Sequence, residues 1–144
     1  MPKIKLIIVC CLIPVFALCA LVLWKAKEKQ DYRQRVILAQ EIRKVMNLMM
    51  FDLRETRQGS VQGVPADGQW HDRIAFEHSG GPIEYSLKDG HVSRFSDGRG
   101  TPVADHIASL RMRRQAVDGA IAEVQIQARD KISLVSNFKI RMQD

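Results

Sequence analysis

Beyond Cys19 the chain has no cysteine; all three, Cys10, Cys11 and Cys19, precede Ala20. No disulfide can staple the remainder, and no thiolate there can complete a zinc site or serve as a nucleophile. No charged side chain lies between Leu6 and Trp24, and no glycine or proline between Lys25 and Arg57. A block of one charge sign is also missing. Net charge is +6, Lys3 and Lys5 come before the apolar run, and the part from Lys25 onward carries 20 basic against 16 acidic residues, dispersed. The one dense basic group, Arg111, Arg113 and Arg114, sits in a strand-like stretch, whereas a nucleic-acid surface needs a basic face with stacking aromatics. No nucleic-acid partner is expected. There are no internal repeats and no low-complexity tracts.

What stands in place of charge at the front is the run from Leu6 to Trp24. About twenty helical residues span about 30 Å, the thickness of a bilayer's hydrocarbon core. A cleaved secretory signal has a shorter apolar region, roughly 7–15 residues, closed by a small-x-small site. Ala17-Leu18-Cys19 is a poor version of that site, and the run continues past it. Bulky Leu18 likewise argues against a lipoprotein cysteine at Cys19. Trp24 suits an interfacial position, Lys25, Lys27 and Lys29 can reach phosphates, and Pro14 is tolerated in membrane helices. The segment reads as a retained single-pass anchor with Leu6, Pro14 and Trp24 as its markers. Lys25, Lys27, Lys29, Arg33 and Arg35 outnumber Lys3 and Lys5, so the Lys/Arg count alone places the carboxyl side in the cytoplasm.

Helical character continues. Leu38, Ile42, Val45, Met49 and Leu53 follow 4-3-4-4 spacing, and Met46 and Met50 widen the stripe; Arg43, Lys44, Asn47, Arg54 and Glu55 take the other face, with Phe51 astray. One helix of about fifty residues is expected, ended by Gly59. Residues 59–69 (GSVQGVPADGQ) read as a loop.

After the loop the period becomes two. Arg73–Glu77 is a short strand candidate. Ile83, Tyr85 and Leu87 alternate with polar neighbours, Asp89-Gly90 signals a two-residue hairpin turn, and His91–Phe95 returns. Residues 96–102 (SDGRGTP) read as a loop, Ile107–Ala116 as a strand with a helical start open, and Asp118-Gly119 as a second turn. Ala122–Ala128 and Ile132–Met142 alternate apolar and polar throughout. The expected fold class is α+β: a long N-terminal helix, transmembrane and then amphipathic, packed on one antiparallel sheet of four to six strands. Its parts are 1–24 (basic end and anchor), 25–58 (amphipathic continuation) and 59–144 (sheet domain).

Little in the chain looks catalytic. His71, His78, His91 and His106 lack the paired spacing of a zinc site. Ser79-Gly80-Gly81 and Asp97-Gly98-Arg99-Gly100 precede strands, whereas a phosphate cradle opens a helix. Asp97 with Asp89 or Asp105 offers loop oxygens to calcium but in no standard loop spacing. No Ser-His-Asp or Cys-His arrangement stands out. No catalytic residue, cofactor or metal site is assigned.

Three stretches carry a family likeness: MMFDLRETRQG at the helix end, DRIAFEHSGGPIEYSLKDGHVSRF, and VADHIASLRMRR before the closing SNFKIRMQD. With an apolar helix running into an amphipathic one and then into a sheet, the chain resembles the type IV pilin and pseudopilin family. It is most similar to J-type minor pseudopilins of type II secretion and to W-type minor pilins. Ile83, Tyr85, Leu87, Asp89, Gly90, Val92 and Arg94 match that family's I-x-Y-x-L-x-D-G-x-L-x-R hairpin, and Asp52-Leu53-Arg54 its helix-end motif. The front departs from the pattern: no glycine precedes the apolar run, and no glutamate lies within it. The resemblance thus implies a pilin-like fold in a divergent, unprocessed member acting as an initiator, tip or platform-associated component. It also implies a bacterial inner-membrane location with the C-terminal domain in the periplasm, against the Lys/Arg count.

The expected function is a non-enzymatic, membrane-anchored minor pilin-like or pseudopilin-like subunit of a type II secretion or type IV pilus machine. Its partners would be the lipid bilayer, other pilin-like subunits and the inner-membrane assembly platform. The stripe Leu38, Ile42, Val45, Met46, Met49 and Leu53 has two readings: packing on the chain's own sheet, and partner-interface helix. The alternative function is a single-pass membrane adaptor or sensor whose small domain binds a ligand or a protein.

Overall fold

The computed structural model describes the backbone of residues 2–143 and the side chains of residues 16–57 and 59–143. Helix α1 runs Pro2–Arg54. After a single 3-10 turn at Gln58–Ser60, eight strands follow: β1 Val61–Gln62, β2 Ile74–His78, β3 Gly81–Lys88, β4 His91–Ser96, β5 Arg99–Ala104, β6 Ile107–Arg114, β7 Ile121–Arg129 and β8 Ser133–Arg141. They form two antiparallel sheets in sequential order, β1-β2-β3-β4-β5 and β6-β7-β8.

This corrects the expected fold class in two respects. Beyond the helix the chain is β, with two sheets and eight strands in place of one sheet of four to six. The described helix is apolar only from Phe16 to Trp24 and carries charge from Lys25 on, so among the described residues no helix is long and apolar enough to cross a membrane. Part of the α+β expectation stands, since one N-terminal helix packs against β5, β7 and β8. The pilin-like single sheet does not.

The sheets part at Asp105-His106. His106 has φ 59°, a left-handed turn that breaks the ladder between β5 and β6. Two backbone bonds hold the corner: Ile107 N donates to Gly90 O at 2.9 Å, and Arg129 N donates to His106 O at 2.8 Å. Asp89-Gly90 forms the expected two-residue turn, with both φ positive (51° and 83°). Asp97-Gly98 repeats that geometry (52° and 74°), so residues read as loop instead turn tightly into β5. The backbone at Gly81 has φ 116°, and a Cβ there would sit 2.8 Å from Asp97 Oδ1, which requires glycine.

One apolar core joins helix and sheets. Leu38, Ile42, Val45, Met49 and Leu53 meet Phe76, Ile83 and Val92 of the first sheet and Leu110, Met112, Val124, Ile126 and Ile140 of the second. Each fully buried side chain of this kind contributes about 1.5–3 kcal/mol. Period-two burial is regular in β7 and β8, where even-numbered residues face the core. The helix ends earlier than Gly59. It stops at Arg54, where Thr56 N donates to Leu53 O at 3.2 Å and Thr56 Oγ1 to Asp52 O at 2.7 Å. The hydroxyl thus satisfies a carbonyl the helix end would otherwise leave open. Gln143 N then donates to Thr56 O at 3.1 Å, tying the end of the chain to the end of the helix.

Candidate functional site

The most organised polar cluster lies where the helix end meets the first sheet. Asp52 occupies the apolar phase of the stripe, between Met49 and Leu53, and is 0% exposed. Tyr85 on β3 and Arg94 on β4 are cross-strand neighbours in the ladder. Arg94 Nε donates to Asp52 Oδ2 at 2.7 Å and Nη2 to Oδ1 at 3.0 Å, a bidentate pair; Tyr85 Oη donates to Oδ2 at 2.6 Å. Burial and the Asp52 carboxylate push the Tyr85 phenol well above its usual range. The same carboxylate raises the Arg94 guanidinium, with partial burial opposing it. A carboxylate sealed from solvent and held by three donors cannot meet a substrate. The cluster can fix the helix's position on the sheet, and the directionality of a bidentate pair suits that task.

Other charged groups form smaller local clasps. His91 Nδ1 lies 2.7 Å from Asp105 Oδ1, which holds the Asp105 carboxyl below its usual value. Asp105 N donates to Glu41 Oε2 at 2.9 Å, and Lys44 Nζ meets Glu41 Oε1 at 2.6 Å, so helix and sheet corner are linked a second time. His78 Nε2 lies 2.8 Å from Glu55 Oε2, close enough for an ion pair but off the line of a hydrogen bond; its Nδ1 accepts from Gly80 N at 3.2 Å. The 63–72 segment is strapped to β6 by paired bonds of 2.8 Å between His71 and Met112 and by Gly68 N to Arg114 O at 3.1 Å. Within it, Gln69 N and His71 donate to Asp67 and lower its carboxyl pKa. Arg113 lies 4.6 Å above the Trp70 ring and donates to Glu123 Oε2 at 2.7 Å.

The four histidines are dispersed, and among the described residues no three His, Cys, Asp or Glu side chains come together to hold a metal ion. The calcium candidate Asp97 is at the far end of β4 from Asp89, and at the far end of β5 from Asp105; six strand residues separate each pair by about 20 Å. The structure does not bring them together.

Five of the six stripe residues, Leu38, Ile42, Val45, Met49 and Leu53, are buried in the chain's own core, and Met46 is half-buried at its margin. The helix flank left to solvent carries Val36, Ile37 and Phe51. Of the anchor markers, the side chains of Leu6 and Pro14 lie outside the described residues, and Trp24 is 64% exposed. With Phe16, Leu18, Leu21, Val22 and Leu23 it forms an open apolar stretch of helix.

In the sequence Asp52, Tyr85 and Arg94 stand as separate motif letters, and only the fold brings them together. The available signal was phase. Asp52 is in register with Met49 and Leu53, Tyr85 with Ile83, and Arg94 with Val92, so three polar groups that can complement one another stand at core positions. No protein-family model, no curated protein and no solved structure matches the chain.

Proposed function

We propose that this protein is a non-enzymatic, membrane-anchored subunit that works by assembly with other pilin-like subunits in a type II secretion or type IV pilus-like machine. The observation that carries the reading is the exposed apolar stretch Phe16–Trp24, which precedes the part of the helix packed on the sheets and continues an uncharged run that begins at Leu6. Exposed surface of that size on successive turns needs a cover, and a bilayer supplies one. Lys25, Lys27 and Lys29 follow at the depth of the headgroups. The domain sits in the periplasm on this reading, held to the inner membrane by its N-terminal segment.

The Asp52, Tyr85 and Arg94 cluster supports the assembly role. It fixes how the sheets sit on the helix, and a subunit whose helix packs among others must present its domain in one orientation. With most of the stripe consumed by the core, neighbouring subunits would meet the flank bearing Val36 and Ile37. The test is a photo-cross-linker placed at Ile37 in cells. Adducts with pilin-like subunits are the expected outcome; adducts confined to unrelated cytoplasmic proteins would support the adaptor or sensor instead.

A further inference from the structure

Open sheet edges invite other strands, and folded proteins blunt them with short strands, prolines, bulges or covers. Three of the four edges here carry such a device. β1 is two residues long. β5 contains Gly100 and Pro102 and shifts register against β4 at Val92/Ser93. β6 is covered by the paired His71–Met112 bonds and shifts register between Ile107 and Ser109. β8 is different. It is nine residues long, contains no glycine or proline, and pairs with β7 in unbroken register from Ser133 to Arg141. Among the described residues, no hydrogen bond beyond the β7 ladder reaches the backbone of 134–141.

The surroundings of that edge specify what would fit. On the core side, Leu134, Ser136 and Phe138 are only half-buried, and a groove runs between Leu134, Ser136 and the helix flank at Ala39, Arg43 and Met46. On the other side, Val135 is 56% exposed, followed by Asn137, Lys139 and Arg141. No acidic residue lies between Lys131 and Gln143. Lys139 and Arg141 stand on one side, where Glu123 opposite Lys139 is already engaged by Arg113 at 2.7 Å and Asp118 lies 3.4 Å from Arg141, and an apolar groove lies on the other. This edge is complementary to one pattern: alternating apolar and acidic side chains in an extended chain.

We infer that the free edge of β8 is a docking site for an extended segment of another protein, added as a further strand, with apolar side chains in the Met46–Leu134 groove and carboxylates toward Lys139 and Arg141. Main-chain bonds supply the general affinity in this mode of recognition, and the alternating side chains select the partner. The inference does not depend on the membrane reading, because the edge lies wholly in the sheet domain.

The test uses the full chain in detergent micelles and a ten-residue fluorescent peptide that alternates valine and glutamate, with a valine–lysine peptide as control. Fluorescence anisotropy reads binding, and amide hydrogen exchange locates it. The valine–glutamate peptide is expected to slow exchange of alternate amides in 134–141 by about tenfold or more while the lysine version does nothing. The double variant Lys139→Gln/Arg141→Gln is expected to weaken binding about tenfold. Both side chains are exposed, and glutamine at 139 puts no second carboxylate opposite Glu123, its cross-strand neighbour, so the fold should be kept. The melting temperature of the variant checks that. Three results would overturn the inference: no protection at β8, equal protection by both peptides, or protection that grows with protein concentration without peptide, which would mean that a second copy occupies the edge.

Discussion

Arg94→Met is the most informative single substitution. It leaves the Asp52 carboxylate buried at 0% exposure with only the Tyr85 hydroxyl to hold it. Removing one partner of a buried pair costs about 3–5 kcal/mol. The Arg94 side chain is 24% exposed and one donor survives, so the lower end applies, about 3 kcal/mol. Asp52→Leu leaves the Tyr85 hydroxyl without its acceptor and a guanidinium that can turn toward water, and should cost about 2 kcal/mol. The double variant removes both charges and leaves only the Tyr85 hydroxyl without its acceptor, about 2 kcal/mol. The two single costs therefore exceed the double by about 3 kcal/mol, which is the coupling that a double-mutant cycle reads. Urea unfolding of the full chain in micelles, followed by near-ultraviolet circular dichroism, measures all four proteins. Thermal melts should show Arg94→Met lowered by about 10–20 °C. If Arg94→Met costs under about 1 kcal/mol, or the singles simply add, the cluster does not hold the helix to the sheet.

Three further outcomes follow from the geometry. Leu53→Ala, at a fully buried position beside Asp52, should destabilise by about 2–5 kcal/mol in the same urea assay. Gly81→Ala forces a side chain onto φ 116° and against Asp97 Oδ1, and should cost about 1–3 kcal/mol by the melting temperature. The Tyr85 phenol is raised above its ordinary value of 10.0 in the folded protein, so above that pH the unfolded chain loses this proton first. Its contribution is whole below pH 10.0 and is lost as pH rises beyond it, and Tyr85→Phe should flatten that part of the alkaline stability curve.

The parts of the fold legible in the sequence were those set by local period. The 4-3-4-4 stripe of the helix became buried core, and the alternation of residues 122–128 and 134–140 became the facing of β7 and β8. Asp89-Gly90 signalled its turn because few other residue pairs suit two positive φ angles in succession. Asp97-Gly98 carried the same signal, but the strand after it, RGTPVA, has a glycine, a proline and no alternation, and its first four residues are exposed. Edge strands of that kind are held by backbone pairing, which leaves little mark on composition. The division into two sheets was illegible for a related reason. Alternation tells which face a residue takes but not which strands share a ladder, and the break rests on one positive φ at His106. The helix end was misplaced because the stop comes from Thr56 and the C-terminal strand, not from the glycine. The polar cluster depended on three residues separated by up to 42 positions, and only their common phase hinted at it.

On the proposed function, the sheet domain stands outside the cytoplasm on an N-terminal anchor. A phosphatase reporter active only outside the cytoplasm, fused after Asp144 and assayed in intact cells, tests it directly. Activity is the expected result. An inactive phosphatase, together with a cytoplasmic reporter that works at the same position, would put the domain on the side given by the Lys/Arg count and contradict the assembly role.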